Sequence, residues 1–548
     1  MGSATDTERG TRLVREETTG AGAVAAGAVG LSAVLFVLSL AAIAELVVIS
    51  EPVAGVPVVS LIGGLLVLLG LAVIGLGVGS RLGYLSTDPS PSAGLIAGSV
   101  AGISWFVIAG GFASETLGFG PVGGVLGGLA LGVFAFAATA LPREDVGSTV
   151  PIGALPVLAG LVFLTDVIGP SWVWNLGWEQ SASFTAEFVI PSVTLFSALF
   201  AGWAAAKAYG GFGARGRHAG AYTLVYLNAV SIVAFLFVLV AFVVFKGVPG
   251  LLTGVQLGAG TGPTSTVVLL GNEISFTWPF SVPFVMNGVA LLNDYQGVLP
   301  AIVGTIWLVI GAVLFAVPLG VGAAVFLTEY AERGRFTQAV EVATNGLWST
   351  PSIVFGLFGF AFLVPRFGNQ KSLLAGMLTL GFMLLPLVLI TSREAMLAVP
   401  DEYRDASAAL GVTRWQTIRS VVLPAALPGV VTGVILGVGR IAGETAPILL
   451  TMAGGTFVPG GQTVDVIGGF EFTSVPPFVA NPELLQATSA LPYQLFALIT
   501  AGVGLGDSVA DPEGFRWATA LVLLVVVLSF YAVGIGARYY FRRKLRHD

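Results

Sequence analysis

The sequence predicts an all-α, polytopic membrane protein of about twelve transmembrane helices, on three observations. Of 548 residues, 55% are hydrophobic and 10% charged, with a mean hydropathy of +0.92. An average soluble domain is about one-quarter charged. The apolar residues gather into runs of roughly the 20 residues a helix needs to cross a bilayer. The basic residues fall between those runs with one consistent sidedness.

Composition excludes several chemistries. There are no cysteines, so disulfides, thiolate metal sites and cysteine nucleophiles are out. Histidine occurs only at His218 and His547, too few for a histidine-rich metal site. The 75 glycines follow no collagen-like period and suit helices packed closely in a membrane. The net charge is -6, and lysine occurs only at Lys207, Lys246, Lys371 and Lys544. That balance suits a high-salt cytoplasm, or reflects a GC-rich genome. No basic stripe points to nucleic acid.

Taken in order, residues 1–20 form a polar cytoplasmic tail with Arg9, Arg12 and Arg15. The run Ala21 to Ile49 is long enough to span, so it reads as an anchor and not a cleaved signal. Further spans are expected at 57–79, 93–114, 120–141, 150–169 and 188–208. Short linkers such as Asp88-Pro89-Ser90-Pro91 and Pro142-Arg143-Glu144-Asp145 separate them. The glycine-rich basic stretch Lys207 to Arg217 is the expected boundary between a membrane region at 21–210, of unknown role, and a domain at 222–545. There, spans are expected at 222–247, 298–328, 340–364, 372–391, 425–450 and 516–537. The segment 484–502 reads as a re-entrant or surface helix broken by Pro492.

Cytoplasmic loops collect Lys and Arg. The C-terminal Arg538, Arg542, Arg543, Lys544 and Arg546 place that end inside. Counting back places inside the loops with Arg333 and Arg335, with Arg393, Arg404, Arg414 and Arg419, and with Lys207, Arg215 and Arg217. Arg81, Arg143 and the N-terminus follow. Segments 248–297 and 451–515 become the long outer connections. The turn with Arg366 and Lys371 is an exception.

The inside loop 393–424 carries the strongest functional signal. Asp401 to Leu410 forms a helix opened by Pro400 and closed by Gly411, a residue type suited to the left-handed position after a helix. Thr413-Arg414-Trp415-Gln416 matches a capping box. The loop therefore reads as helix, sharp turn, helix, with small residues at Ala406, Ser407, Ala408 and Ala409 able to enter a groove on another protein.

Asp405-Ala406-Ser407, then Gly411, then Val421-Val422-Leu423-Pro424 resembles the EAA loop of ABC importer permeases, without a gap in spacing. Asp405 stands where Glu is usual and Ser407 where Ala is. Gly297 to Thr305, Pro318-Leu319-Gly320-Val321, Thr328-Glu329-Tyr330 and Pro351 to Leu357 resemble the PstA-type permease of phosphate importers. Glu444-Thr445-Ala446-Pro447 and Leu491-Pro492-Tyr493-Gln494 favour that branch over the PstC-type partner. The likeness runs from about Tyr222 to the C-terminus. It implies a type I ABC importer transmembrane fold and multi-pass residence in the cell membrane, and a role for Asp405, Ala406, Ser407, Gly411, Leu423 and Pro424 in ATPase coupling. The implied partners are a PstC-type permease, PstB-type ATPase subunits and a PstS-type extracytoplasmic phosphate-binding protein.

Arg440 and Glu444 lie inside an apolar span, 16 positions and more beyond Pro424, or about 24 Å along a helix. Their i,i+4 spacing places them on one helix face. Intramembrane charges line pathways or pair structurally, and both readings apply here. A guanidinium fork matches oxyanion oxygens in pairs. Glu444 would steady Arg440, weaken its grip on the anion and could accept a hydrogen bond from a protonated oxygen of it. Thr445, Ser349 and Ser352 are further candidates for the path, and Arg393 reads as interfacial. Glu329, Glu332 and Glu341 read as a solvated face. No catalytic or metal site is expected, and no ATP-binding G-x-x-x-x-G-K-[ST] loop occurs, so ATP belongs to the partner. A permease for sulfate or molybdate is the nearest alternative.

Overall fold

The structure, a computed structural model, describes residues 20–53, 55–175, 183–258, 260–262, 264–269, 272–288, 297–332, 334–453, 463–476, 478–500 and 511–544. Arg9, Arg12 and Arg15 of the expected tail, with Arg333, Arg546 and His547, lie outside them, as do parts of both outer segments. The chain divides into two compact units, Met1–Phe242 and Val243–Asp548.

The first unit holds α1 (Gly20–Ile43), α2 (Val58–Arg81), α3 (Leu95–Gly111), α4 (Gly120–Ala140), α5 (Glu144–Leu164), α6 (Ala186–Tyr209) and the start of α7 (Gly213–Leu252). Helices form because lipid cannot satisfy a bare backbone. The pairing is nested: α1 packs on α6, α2 on α5 and α3 on α4. Apolar burial drives little of this, since lipid tails are as apolar as leucine; close contact does the rest. Gly63 and Gly70 of α2 face Gly160 and Gly153 of α5. A Cβ at Gly63 would stand 2.9 Å from the Gly160 carbonyl, and one at Gly153 2.9 Å from the Gly70 carbonyl. Leu66, Leu69, Val73 and Ile152 fill the space between.

An ion cluster ties four of these helices at one end. Glu144 and Asp145, expected in a linker, instead form the first turn of α5 and are fully buried. Glu144 Oε1 lies 2.8 Å from Lys207 Nζ. Its Oε2 accepts the backbone N–H groups of Ser90 and Gly213, each at 3.0 Å. Asp145 pairs with Arg143 and accepts the Ser80 hydroxyl at 3.0 Å. The charges expected in a linker therefore lie inside a helix at this end, Glu144 paired with Lys207 of α6 and Asp145 with the adjacent Arg143. The glycine-rich stretch is also shorter than expected. The chain reverses within three residues, Gly210 to Phe212, helped by positive φ at Gly211.

The second unit continues with the end of α7, then α8 (Pro283–Met286), α9 (Leu299–Val325) and a π-helical turn at Phe326–Tyr330. Next come α10 (Arg335–Ser349), α11 (Ser352–Phe358), α12 (Leu373–Leu397), α13 (Asp401–Ala409) and α14 (Arg414–Thr417). A second π-helical turn, Ile418–Val422, leads into α15 (Leu423–Ala442), followed by α16 (Ala446–Thr451), α17 (Leu491–Thr500) and α18 (Pro512–Lys544). Leu308 and Ala312 of α9 meet Leu380, Leu384 and Val388 of α12 in its core. Among the described residues 11 helices are long and apolar enough to cross a membrane, or 12 with one bent pair counted as a span.

Four expectations change. The span at 340–364 is bent by 102° between α10 and the helix that follows it; Thr350 is extended before Pro351, as the residue before a proline prefers. The span at 425–450 stops after Ala442 and resumes at Ala446. Pro492 starts α17 and does not break it, since its missing N–H costs nothing in a first turn. Arg393 belongs to α12, so the inside loop begins after Leu397. The two basic residues of the turn that broke the expected sidedness have backbone partners: Arg366 donates to the Phe362 carbonyl at 2.6 Å and Lys371 to that of Leu449 at 2.8 Å.

Candidate functional site

Gly443, Glu444 and Thr445 form the break between α15 and α16. Gly443 N–H and Glu444 N–H reach back to the carbonyls of Arg440 and Ile441 at 3.4 and 3.2 Å. Pro447 sits in the first turn of α16, where no N–H is needed. Arg440 therefore lies in the last turn of a 20-residue helix, where carbonyl ends favour a cation.

Arg440 and Glu444 are within reach of each other as expected, but not on one continuous helix. Glu444 lies past the end of α15, and its Oε1 is 3.9 Å from Arg440 Nε, too far for a hydrogen bond. A second partner is aromatic: the guanidinium carbon stands 4.1 Å from the Trp348 ring centre. A cation held over an indole face keeps its N–H edges open. The side chains of Arg440 and Glu444 keep 35% and 19% of their exposure. Trp348 was not legible as a site residue, sitting in a stretch with no motif of its own. Thr445 is half-buried ahead of α16, and its hydroxyl makes no capping bond. Ser349 gives its hydroxyl to the Gly346 carbonyl at 3.0 Å. Ser352 is half-buried beyond the same bend.

The hairpin has the expected form. Gly411 sits at φ +71° with open space around it. The capping box is complete, Gln416 N–H reaching Thr413 Oγ1 at 3.4 Å and Thr413 N–H reaching Gln416 Oε1 at 3.1 Å. Asp405 and Ala406 face out, while Ser407 is buried and donates to the Tyr403 carbonyl at 2.9 Å. Leu410 and Trp415 keep 82% and 57% of their exposure, an unusual display of apolar surface. Leu423 packs beside Val422, Ala324 and Met396, and Pro424 sits in the first turn of α15. That single helix joins the hairpin to Arg440.

Arg404 fixes the hairpin to the helices behind it. Its Nη2 lies 2.9 Å from Glu329 Oε1 and 3.0 Å from the Met396 carbonyl. Its Nη1 reaches the Val399 carbonyl at 2.8 Å and Asp401 at 3.1 Å. Glu329 is thus buried and paired, against the expectation of a solvated face, and Glu341 pairs with Arg393 at 2.6 Å. The signal was present in Thr328-Glu329-Tyr330, an acid ending an apolar span.

The sequence profile of the binding-protein-dependent transport system inner membrane component matches residues 316–547. The phosphate transport system permease protein PstA of Haemophilus influenzae is 39% identical over 252 residues, covering 46% of this chain and 78% of that protein. PstA 1 of Mycobacterium tuberculosis is 33% identical over 265 residues, covering 48% and 76%. A chain from the inward-facing MetNI methionine ABC transporter aligns at 19% identity over 46% of this chain and 96% of its own, with a TM-score of 0.32. The chain belongs to the binding-protein-dependent transport system inner membrane component family, as a PstA-type permease of an ABC importer with an added N-terminal membrane region.

Proposed function

We propose that the chain is one of two permease subunits of an ATP-driven inorganic phosphate importer. The observation that carries this is its identity, 39% and 33%, to relatives named for phosphate transport. The added region is 21–210 and the permease domain 222–545. Both termini face the cytoplasm, with α13 and α14 on that side. ATPase subunits dock on the hairpin around Asp405, Ala406, Ser407 and Gly411, and Leu423 and Pro424 pass their movement into α15. A PstC-type permease completes the pathway, PstB-type subunits hydrolyse ATP, and a PstS-type protein delivers phosphate outside.

Arg440, Glu444 and Thr445 line the pathway in this reading. Arg440 offers N–H edges to an oxyanion while Trp348 covers one face of the guanidinium. Glu444, close without bonding, weakens the hold enough for release. A helix break at this depth is tolerated where it lines a cavity.

The test is radiolabelled phosphate uptake in cells lacking their own importer, expressing this chain with its neighbouring subunits. ATP-dependent uptake that sulfate and molybdate do not compete is the expected result. Uptake of sulfate or molybdate instead would keep the machine and reject the substrate. Uptake undiminished by an ATPase-dead partner would reject the machine.

A further inference from the structure

We propose that the N-terminal unit holds one chain of a membrane glycerolipid in a cavity between α3, α5 and α6, with a lipid ester or ether oxygen bound by Trp174. The cavity measures 390 Å3, within the roughly 300–1,000 Å3 of small-molecule sites. Its walls include Trp105 and Ile108 of α3, Leu155 and Val162 of α5, Val193 of α6, and Trp174 beyond α5. Every lining side chain is apolar apart from the indole N–H groups of Trp105, Trp172 and Trp174.

Two of those N–H groups differ in a telling way. Trp105 donates to the Pro151 carbonyl at 3.0 Å. The Trp174 N–H is buried and has no partner among the described residues. Leaving such a donor buried and unmatched is costly, so the site is complete only with an acceptor there. Trp174 belongs to the short strand Val173–Asn175, paired with Ser183–Thr185 between α5 and α6. That puts it beyond the end of a span, at the depth where tryptophans gather at the membrane boundary. The oxygen-bearing part of a glycerolipid sits at the same depth.

From Trp174 the cavity follows α5 inward past Phe163 to Leu155, about 12 Å of helix. Val107, Leu131 and Leu158 are exposed at its edge, so a chain can enter sideways from the bilayer. One acceptor at the rim and hydrocarbon below describe a glycerolipid chain.

The test uses the full chain purified in mild detergent and examined by native mass spectrometry. One glycerolipid retained per chain is expected. Ala159→Phe fills the cavity wall, and Trp174→Phe keeps the ring but removes the donor. Trp174→Phe should lower retention about five- to tenfold, the worth of one matched hydrogen bond, Ala159→Phe should lower it at least as far by taking the chain's space, and Leu314→Phe on α9 should leave it unchanged. If Ala159→Phe fails to fold, quenching of tryptophan fluorescence by brominated-chain glycerolipid decides: it should fall in Trp174→Phe relative to the unmodified chain. Retention equal in all variants, retention of a quinone instead, or no lipid on the unmodified chain would overturn the proposal.

Discussion

Replacing Glu329 with alanine should release the α13–α14 hairpin without unfolding the permease. Arg404 puts both Nε and Nη2 on one oxygen of Glu329, at 3.3 and 2.9 Å. The side chains are 22% and 7% exposed. An exposed pair contributes about 0–1 kcal/mol, and breaking a fully buried one costs about 3–5. This pair lies between. Without Glu329, Arg404 keeps the Met396 and Val399 carbonyls and some water, so the loss should be about 2 kcal/mol. That is roughly a 30-fold shift toward a detached hairpin. Hydrogen exchange at residues 401–417 should quicken accordingly, and ATP-dependent uptake should drop while membrane insertion stays normal. In thermal unfolding, Glu329→Ala and Arg404→Ala should be non-additive by about the same energy. Additive effects within about 0.5 kcal/mol, together with normal uptake, would refute the reasoning.

Four further outcomes follow from the geometry. Gly411→Val forces a β-branched residue to φ +71°, where even an ordinary residue loses about 1–2 kcal/mol; uptake should vanish with insertion intact, and Gly411→Asn should be mild. Thr413→Ala removes one half of the capping box and should destabilise the hairpin by about 1 kcal/mol, seen as faster exchange at Gln416. Lys207→Met takes the nearer cation from the fully buried Glu144, which keeps Arg217 at 3.5 Å and two backbone N–H donors, and should cost about 2–3 kcal/mol, measured as a lower melting temperature of the full chain. Arg440→Lys keeps the charge but loses the fork, and uptake should fall severalfold; unchanged uptake would reduce Arg440 to a packing role.

The spans were legible because each is a run of apolar residues bounded by turn formers or charges, as with α4 between Gly118 and Pro142. The hairpin was legible because capping is local: Thr413, Gln416 and Gly411 declare their conformations without tertiary help. What distance in sequence hides was not legible. Glu144 looked like a linker charge until Lys207 and Gly213 were brought to it. Glu329 looked solvated until Arg404, 75 positions later, closed on it. The break after Ala442 was readable as Gly443 and Pro447, but its effect on the Arg440–Glu444 pair was not. Nothing in the local sequence said that Trp348 would also become a partner of Arg440.

The exposed Leu410, Trp415 and Tyr403 of the hairpin also bear on the life of the chain before assembly. Surfaces of that kind are what chaperones and quality-control proteases bind. A copy made without a protein to cover the hairpin would advertise its own incompleteness, and its removal would keep subunit numbers in step. The half-life of the chain should lengthen when the ATPase subunit is co-expressed, and a hairpin carrying Leu410→Ser and Trp415→Ser should survive alone.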